Sequence, residues 1–251
     1  MPSEKVFLAY GSPASGKTTA FEHLREQGVV NYVSVGEVTR REISKKTPLG
    51  QELQRCLTEV VEYPPRLIAQ VMVEAIRNAA KGESVVVVDG FPKYSREVGP
   101  FMKIISNADL VLNGVINFQL SLETAINRVE NRRICTSCLG QVKVSSPEDN
   151  CCPHCNSSGS LSQREDDTPE VIKRRYGDYT RSYADTLNTI HTFFPDLEEY
   201  LVSAEGTEEE ILTRLTILFD SARVAQQREQ PNSIRKVGGS SPSPGSLGFP
   251  E

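Results

Sequence analysis

The stretch from Gly11 to Thr18, GSPASGKT, places two glycines, a lysine and a hydroxyl side chain at the spacing of a phosphate-binding loop. Glycines let the backbone curl so that successive N–H groups face a polyphosphate, and a helix that starts at the loop adds partial positive charge. Lys17 would reach the outer phosphates, and the Thr18 hydroxyl could hold Mg²⁺. The alternative, a Gly- and Ser-rich turn before an ordinary helix, does not require this spacing, so we expect a nucleoside triphosphate site.

The elements on either side of this loop have the context that such a loop needs. Lys5 to Ala9 is a short apolar run typical of a buried strand, and Thr18 to Arg25 has the pattern of a helix start. Four more short apolar runs, NYVSV, SVVVVDG, GVINFQL and EYLVSA, lie next to longer segments with helical spacing. Strands that alternate with helices predict an α/β fold, with a parallel sheet covered on both faces.

Asp89 follows one of these runs at a position where it could act on a metal ion. The run Val85 to Val88 is apolar at every position and ends in Asp89-Gly90, as expected of a central strand whose carboxyl end opens on the ligand crevice. Asp89 would then lie near the phosphates and act on Mg²⁺ directly or through water. The alternative is a plain turn residue.

Five of the six cysteines lie between Cys135 and Cys155, a clustering that favours a metal site over a disulfide framework. Cys135-x-x-Cys138 and Cys152-x-x-Cys155 are separated by thirteen residues, close to the spacing of two zinc knuckles that close one tetrahedral site. Cys151 and His154 offer an alternative ligand pair, and iron is an alternative metal. The residues between the knuckles are too polar to predict a core of their own, so a structural metal would supply the order.

Composition limits the classes of protein to consider. The chain has 251 residues, of which 38% are hydrophobic, enough for a real core. Its net charge is −5, so the composition indicates no general basic surface. We therefore expect no nucleic-acid partner. No apolar run approaches a membrane span or an export signal, so we expect a soluble, cytoplasmic protein. We also expect it to be a monomer. The tail from about Gln226 is rich in Gly, Ser and Pro, a composition typical of disorder.

Five motifs occur in one order along the chain: the phosphate loop, SVGEVTRREISKKTPLGQEL, VVVVDGFPKYSRE, RVENRRICTSC and QREDDTPEVIKRRYGDY. With these motifs the sequence resembles the adenylate kinase family of nucleoside monophosphate kinases, in the long-lid form with a zinc-binding lid. The resemblance is specific from about Lys5 to Tyr179 and looser to about Ala222. It implies transfer of a phosphoryl group from MgATP to a nucleoside monophosphate, most simply AMP.

The resemblance also implies a domain organisation of the P-loop kinase type. Its core is a five-stranded parallel sheet with helices on both faces, formed by residues 1–34, 65–130 and 168–222. A small helical insertion that binds the acceptor nucleotide would occupy residues 35–64. The zinc-binding lid would occupy residues 131–167, and residues 223–251 would be a disordered tail.

Transfer between two nucleotides needs converging positive charge, because about six negative charges surround the transferred group. Arg128 and Arg132 lie four apart, as on one helix face, and Arg164 and Arg175 follow the cysteines. By resemblance, Lys17, Asp89, Arg132, Arg164 and Arg175 are catalytic, and Arg128 lies against the donor adenine. The acidic pair Asp166 and Asp167 would orient the lid arginines. The donor-binding residues by resemblance are Gly11, Ser15, Gly16, Lys17, Thr18, Thr19 and Arg128.

The acceptor side departs from the family pattern. Where the resemblance leads us to expect Thr, Asp, Arg and Gln, this chain has Val35, Glu37, Lys93 and Glu97. A carboxylate at position 97 can only accept hydrogen bonds, so it would favour the two donors on the edge of guanine over the N1 lone pair of adenine. GMP is therefore an alternative acceptor. The acceptor-binding residues by resemblance are Val35, Arg40, Tyr63, Gly90, Lys93 and Glu97.

Two other functions are compatible with parts of the sequence. The first is a P-loop ATPase that hydrolyses ATP without an acceptor, against which the long metal-binding lid argues. The second is a zinc ribbon that binds nucleic acid, joined to a nucleotide-binding domain. The ribbon would lack the basic surface and exposed aromatic residues that strand binding needs.

Overall fold

A computed structural model describes residues 5–59, 61–81, 84–138, 141–144, 146, 149–163 and 167–228. Its strands are β1 Lys5–Gly11, β2 Val30–Ser34, β3 Val85–Asp89, β4 Val111–Gln119, β5 Arg132–Cys135, β6 Gln141–Lys143, β7 Leu161–Ser162 and β8 Glu199–Ser203. Its helices are α1 Lys17–Glu26, α2 Val35–Ser44, α3 Pro48–Thr58, α4 Pro65–Ala79, α5 Ser95–Asn107, α6 Leu122–Glu130, α7 Pro169–Phe193 and α8 Glu208–Arg228.

Five strands form a parallel sheet in the order β2-β3-β1-β4-β8, which confirms the predicted α/β fold and its five-stranded sheet. β1 and β3 lie at the centre, and the side chains of Val6 to Ala9 and of Val85 to Val88 are buried. The connections after β1 and β3 run to opposite sides of β1. The carboxyl ends of the strands therefore open at a switch point, where such sheets bind ligands.

Two helices, α2 and α3, occupy the predicted acceptor-binding insertion and pack closely together. A β-carbon added at Gly50 would lie 2.4 Å from the Glu42 carbonyl oxygen, so only glycine permits this approach of α3 to α2. Tyr63 and Leu49 pack against the main hydrophobic core, which joins the insertion to the sheet.

The predicted lid contains a small antiparallel sheet in the order β6-β5-β7. Cys135, Val142, Val144 and Cys152 are buried together beside Leu161. The residues between the knuckles thus form no core of their own among the described residues, but two of their valines pack against the predicted metal ligands. The segment places two valines of its alternating QVKV sequence on one buried face, a pattern of period two.

The chain divides into two compact units, residues 1–214 and 215–251. Of the second unit, the structure describes the part of α8 from Leu215 to Arg228. Residues 223–228, predicted to begin a disordered tail, are thus helical, and residues 229–251 lie outside the described residues. None of the described helices has the length and apolar character needed to cross a membrane.

Candidate active site

A cavity of about 980 Å³ opens at the carboxyl ends of the sheet strands. Residues 10–19 line one side, and Gly90 with residues 93–96 line another. Arg132 and Arg175 also line it, as do residues of α7 between 178 and 185. The cavity therefore brings the phosphate loop, the start of α5 and two of the predicted catalytic arginines to one space. Arg164, the third arginine predicted to bind phosphate, lies outside the described residues, as does Asp166.

The phosphate loop leads directly into α1 with an open helix end. Gly16 caps the helix at φ 81°, a left-handed conformation that favours glycine, and the first turn of α1 contains no acidic residue. Gly11 lies so close to β4 that an added β-carbon would be 2.7 Å from the Phe118 β-carbon. The positive end of the helix is thus not neutralised by a carboxylate, as an anion site requires.

Lys17 Nζ donates to the Gly11 carbonyl oxygen at 2.9 Å and lies 3.5 Å from Ser15 Oγ. Burial lowers the pKa of Lys17, the Asp89 carboxylate opposes that change, and Arg175 adds to it. The ammonium therefore curls over the loop, close to both an acidic group and an arginine. A phosphate in the loop would relieve the repulsion between the two cations.

Asp89, one of the two side chains predicted to hold Mg²⁺, is held by Tyr32. The Tyr32 hydroxyl donates to Asp89 Oδ2 at 2.7 Å, and the Thr18 and Ser34 hydroxyls lower the pKa of the phenol. Burial and the Asp89 carboxylate raise the pKa of Tyr32. A hydroxyl and a carboxylate are the hard oxygen ligands that Mg²⁺ prefers, so the residues present fit this ion.

Arg132 forms a two-point ion pair with Asp167: its Nε lies 2.8 Å from Oδ2, and its Nη2 contacts Oδ1. The Asp167 side chain is fully buried, and Arg132 faces the cavity. The pair fixes the plane of the guanidinium, as the predicted role of Asp167 requires. Arg132 belongs to strand β5, however, because α6 ends at Glu130. The expectation that Arg128 and Arg132 share a helix face was therefore wrong.

Arg128 connects two segments that flank the predicted donor site. It donates to the Ala14 carbonyl oxygen at 3.1 Å, to that of Ala204 at 2.7 Å and to that of Gly206 at 3.2 Å. Burial lowers the pKa of Arg128. The guanidinium therefore ties the phosphate loop to the segment after β8.

Of the predicted acceptor residues, Gly90 and Lys93 line the cavity. Val35 lies beside Gly90, since an added β-carbon at Gly90 would be 3.6 Å from the Val35 β-carbon. Burial raises the pKa of Tyr63, and the Thr39 hydroxyl opposes the change. Arg40 is exposed, with its guanidinium near Gly36.

Glu97 is buried at the start of α5, where it caps the helix. Its Oε2 accepts from the backbone N–H of Lys93 at 2.6 Å and of Tyr94 at 3.3 Å. Burial raises the pKa of Glu97, while these two hydrogen bonds oppose the change. Capping therefore occupies one of its oxygens, a role that the sequence analysis missed although glutamate at the third helical position is a known capping signal.

A group of charged and aromatic side chains lines the cavity near the start of α5: Glu62, Lys93, Tyr94 and Arg96. Lys93 Nζ lies 4.9 Å from the centre of the Tyr94 ring, and the Arg96 guanidinium carbon lies 4.5 Å from it. Arg96 pairs with Glu62 at the end of the insertion. The sequence analysis missed Glu62 and Tyr94, since a contact 34 residues apart carries no local signal.

The four predicted zinc ligands, Cys135, Cys138, Cys152 and Cys155, converge with all their sulfur atoms within 4.8 Å of one another. The Sγ atoms of Cys135 and Cys155 lie 3.6 Å apart, and those of Cys138 and Cys152 lie 3.7 Å apart. A tetrahedron with metal–sulfur bonds of about 2.3 Å has sulfur atoms about 3.8 Å apart. The Ser160 hydroxyl and the Cys138 N–H lower the pKa of Cys135 to about 5. The group thus fits a tetrahedral metal that binds thiolates.

Comparison with known proteins agrees with this geometry. The profile of a family described as "Adenylate kinase" matches residues 9–193. The chain belongs to the adenylate kinase family. It is a nucleoside monophosphate kinase, and hence a phosphotransferase, as the resemblance implied.

Archaeal members of the adenylate kinase family match the chain over most of its length. The adenylate kinase of Pyrococcus furiosus is 30% identical over 218 residues, covering 86% of this chain and 96% of the relative. That of Pyrococcus horikoshii is 27% identical over 217 residues, covering 85% and 94%. That of Thermococcus kodakarensis is 26% identical over 227 residues, covering 89% and 97%. The matches thus cover nearly the whole length of these relatives.

Proposed function

We propose that the chain is an adenylate kinase that transfers the γ-phosphoryl group of MgATP to AMP, giving two ADP. The observation that carries this proposal is the cavity itself. It is lined by the phosphate loop with Lys17, by Gly90 and Lys93, and by Arg132 and Arg175. One space thus collects residues proposed for the donor, residues proposed for the acceptor, and cations that would neutralise the transferred group. The adenylate kinase names of the relatives support ATP and AMP as the two substrates.

Phosphoryl transfer requires mainly alignment and neutralisation of charge. The backbone N–H groups of the loop and the open end of α1 would bind the donor phosphates. Lys17 would neutralise charge on the transferred group, while Arg132, Arg175 and Arg164 would bind its oxygens from the lid side. Lys93 and Arg40 would bind the acceptor phosphate. Thr18 and Asp89 would hold Mg²⁺, which when bound would supply positive charge against the donor phosphates.

Arg128 would contact the donor base from the position where it joins Ala14 to the segment after β8. Gly11, Ser15, Gly16 and Thr19 complete the donor side. Val35, Tyr63 and Glu97 would surround the acceptor base. These roles follow the register of the family motifs.

We also propose that the cysteine group binds a structural zinc ion. Four protein ligands leave no open coordination position for catalysis, so the metal would order the lid.

Free thiols at metal-ligand spacing favour a reducing compartment, which supports a cytoplasmic location. Donor and acceptor residues come from one chain, so a monomer is sufficient for the reaction. The net charge of −5 gives no support to a nucleic-acid partner.

The test is a kinase assay with MgATP and AMP, GMP, CMP or UMP as acceptor. The proposal expects AMP to give the highest kcat/KM and ADP to form in a two-to-one ratio to the ATP consumed. Hydrolysis of ATP at a rate independent of every acceptor would instead identify an ATPase. Light scattering during size-exclusion chromatography checks the monomer, and metal analysis distinguishes zinc from iron.

A further inference from the structure

The Tyr32 hydroxyl contacts Asp89, the carboxylate that we propose as a Mg²⁺ ligand, although Tyr32 belongs to none of the motifs that predicted the site. It lies on β2, next to Val87 of the neighbouring strand β3. Its oxygen is 2.7 Å from Asp89 Oδ2. The phenol therefore reaches the carboxylate at the end of the neighbouring strand.

The Tyr32 ring is held in place by its surroundings. It stacks on Phe21 of α1, with ring centres 5.5 Å apart and planes inclined by 23°, and Phe21 itself is fully buried. The Arg25 guanidinium carbon lies 6.0 Å from the centre of the Tyr32 ring. Only 5% of Tyr32 is exposed. The hydroxyl is thus presented from a fixed support.

The pattern of donors matters for a cation site. The phenol has one proton, which goes to Asp89 Oδ2 and leaves the second carboxylate oxygen outside this hydrogen bond. The carboxylate of Asp89 is therefore oriented by a third side chain, with one oxygen left for a cation.

We propose that Tyr32 is a positioning residue for the Mg²⁺ site, an inference that rests on the proposed function. Mg²⁺ demands near-ideal octahedral geometry, so the orientation of each oxygen affects its affinity. Partners that orient metal ligands contribute about tenfold to a hundredfold in affinity or activity. A purely structural tyrosine would instead satisfy a buried carboxylate and affect only folding.

The experiment compares wild type with Tyr32→Phe, which keeps the stacked ring and removes the hydroxyl. Calorimetry measures the Kd of ATP in EDTA and in excess Mg²⁺, and the ratio of the two gives the gain in affinity from the metal. The inference expects the EDTA value to stay unchanged and the gain to fall about tenfold. The Mg²⁺ concentration for half-maximal rate should rise by a similar factor.

Two further variants make the result specific. Tyr200 of β8 also has a hydroxyl that contacts a carboxylate, that of Glu198. Tyr200→Phe should leave the gain in ATP affinity from Mg²⁺ at the wild-type value. Tyr32→Met fills similar space without a hydroxyl and should reproduce the loss even if Tyr32→Phe folds poorly. In an Asp89→Asn background, Tyr32→Phe should reduce the gain no further, because the phenol acts through Asp89.

The inference is overturned if folded Tyr32→Phe and Tyr32→Met keep the wild-type gain from Mg²⁺. It is also overturned if they weaken ATP binding equally in EDTA and in Mg²⁺, as a structural role would. A wild-type enzyme whose ATP affinity and rate do not respond to Mg²⁺ would contradict the proposed function rather than the role of Tyr32.

Discussion

The Lys17 side chain lies against its own loop, with Nζ bound to the Gly11 carbonyl oxygen. We expect Lys17→Met to lower kcat at least about a hundredfold, because removal of a group that neutralises transition-state charge has effects of this size. The fold and the metal content should not change, since the lysine supports neither the sheet nor the cysteine group. Steady-state kinetics, circular dichroism and metal analysis check this. Lys81→Met, which removes an exposed lysine bound to Asn78, is the control. Near-normal turnover by folded Lys17→Met would refute the phosphate-loop assignment.

Glu97 combines an observed capping role with a predicted role at the acceptor base. We expect Glu97→Gln to raise the ratio of kcat/KM for AMP over GMP, since an amide can donate to adenine N1 where a carboxylate cannot. The mismatch with adenine costs roughly 1–3 kcal/mol if it is buried. Glutamine keeps an oxygen that can accept from the N–H groups of Lys93 and Tyr94, so the helix cap should survive.

The matched control for this substitution is Glu210→Gln. Glu210 also accepts a backbone hydrogen bond at the start of a helix, from Thr207 N–H at 2.9 Å. Its substitution should leave the AMP:GMP ratio unchanged. A ratio that Glu97→Gln leaves constant or lowers would mean that Glu97 only caps α5 and does not contact the base.

Side chains that belong to a contiguous motif could be predicted from the sequence, whereas their partners from other segments could not. The spacing around Lys17 defines the phosphate loop because a local turn needs local glycines. Tyr32 contacts Asp89 across 57 positions, and Arg128 reaches Ala14 across 114. No local pattern encodes these contacts, because they arise only when parallel strands bring distant ends together.

At the scale of elements, the lid combines a three-stranded sheet with the cysteine group. We expect about one zinc ion per chain, and we expect Cys135→Ser to lower zinc content and thermal stability, because metal binding at such sites is coupled to local folding. Metal analysis and thermal unfolding measure both effects. Cys151→Ser is the matched control, since Cys151 lies next to Cys152 but outside the group of four. A protein prepared without chelator under reducing conditions that contains no metal would contradict the proposal.

The boundary between α6 and β5 shows why element ends are hard to predict. The spacing of Arg128 and Arg132 suits a helix, yet α6 ends at Glu130 and the chain continues as a strand that pairs with β6 and β7. β6 lies between the two knuckles and β7 lies beyond the second, so contacts with later segments override the local pattern here. The same contacts bury Val142 and Val144 in a segment with little hydrophobic character.

For the molecule as a whole, the strand runs were predictable because central strands are buried on both faces and therefore apolar throughout.

The prediction that concerns the whole molecule is closure around substrates. We expect a bisubstrate analogue to slow hydrogen exchange in residues 35–64 and 131–167, while exchange in β1 and β3 stays the same. Closure excludes water and thereby limits wasteful hydrolysis of ATP. Mass spectrometry of the exchanged peptides measures these changes. The same measurement on Lys17→Met with bound ATP separates closure from turnover, because this variant is expected not to transfer the phosphoryl group. Unchanged exchange in residues 131–167 would contradict closure of the lid.

The Arg132–Asp167 pair has a consequence for the architecture of the chain. It joins the residue where β5 begins to the residue just before the capping Thr168 of α7, so the intervening segment leaves and re-enters the enzyme at one point. Of the described residues between 133 and 163, none contributes a strand to the five-stranded sheet. We therefore expect this segment to behave as a cassette with adjoining ends, which can be shortened, lengthened or exchanged for one without cysteines while the strand order stays the same. Segments of different length and metal content should then be graftable onto the five-stranded sheet at this junction.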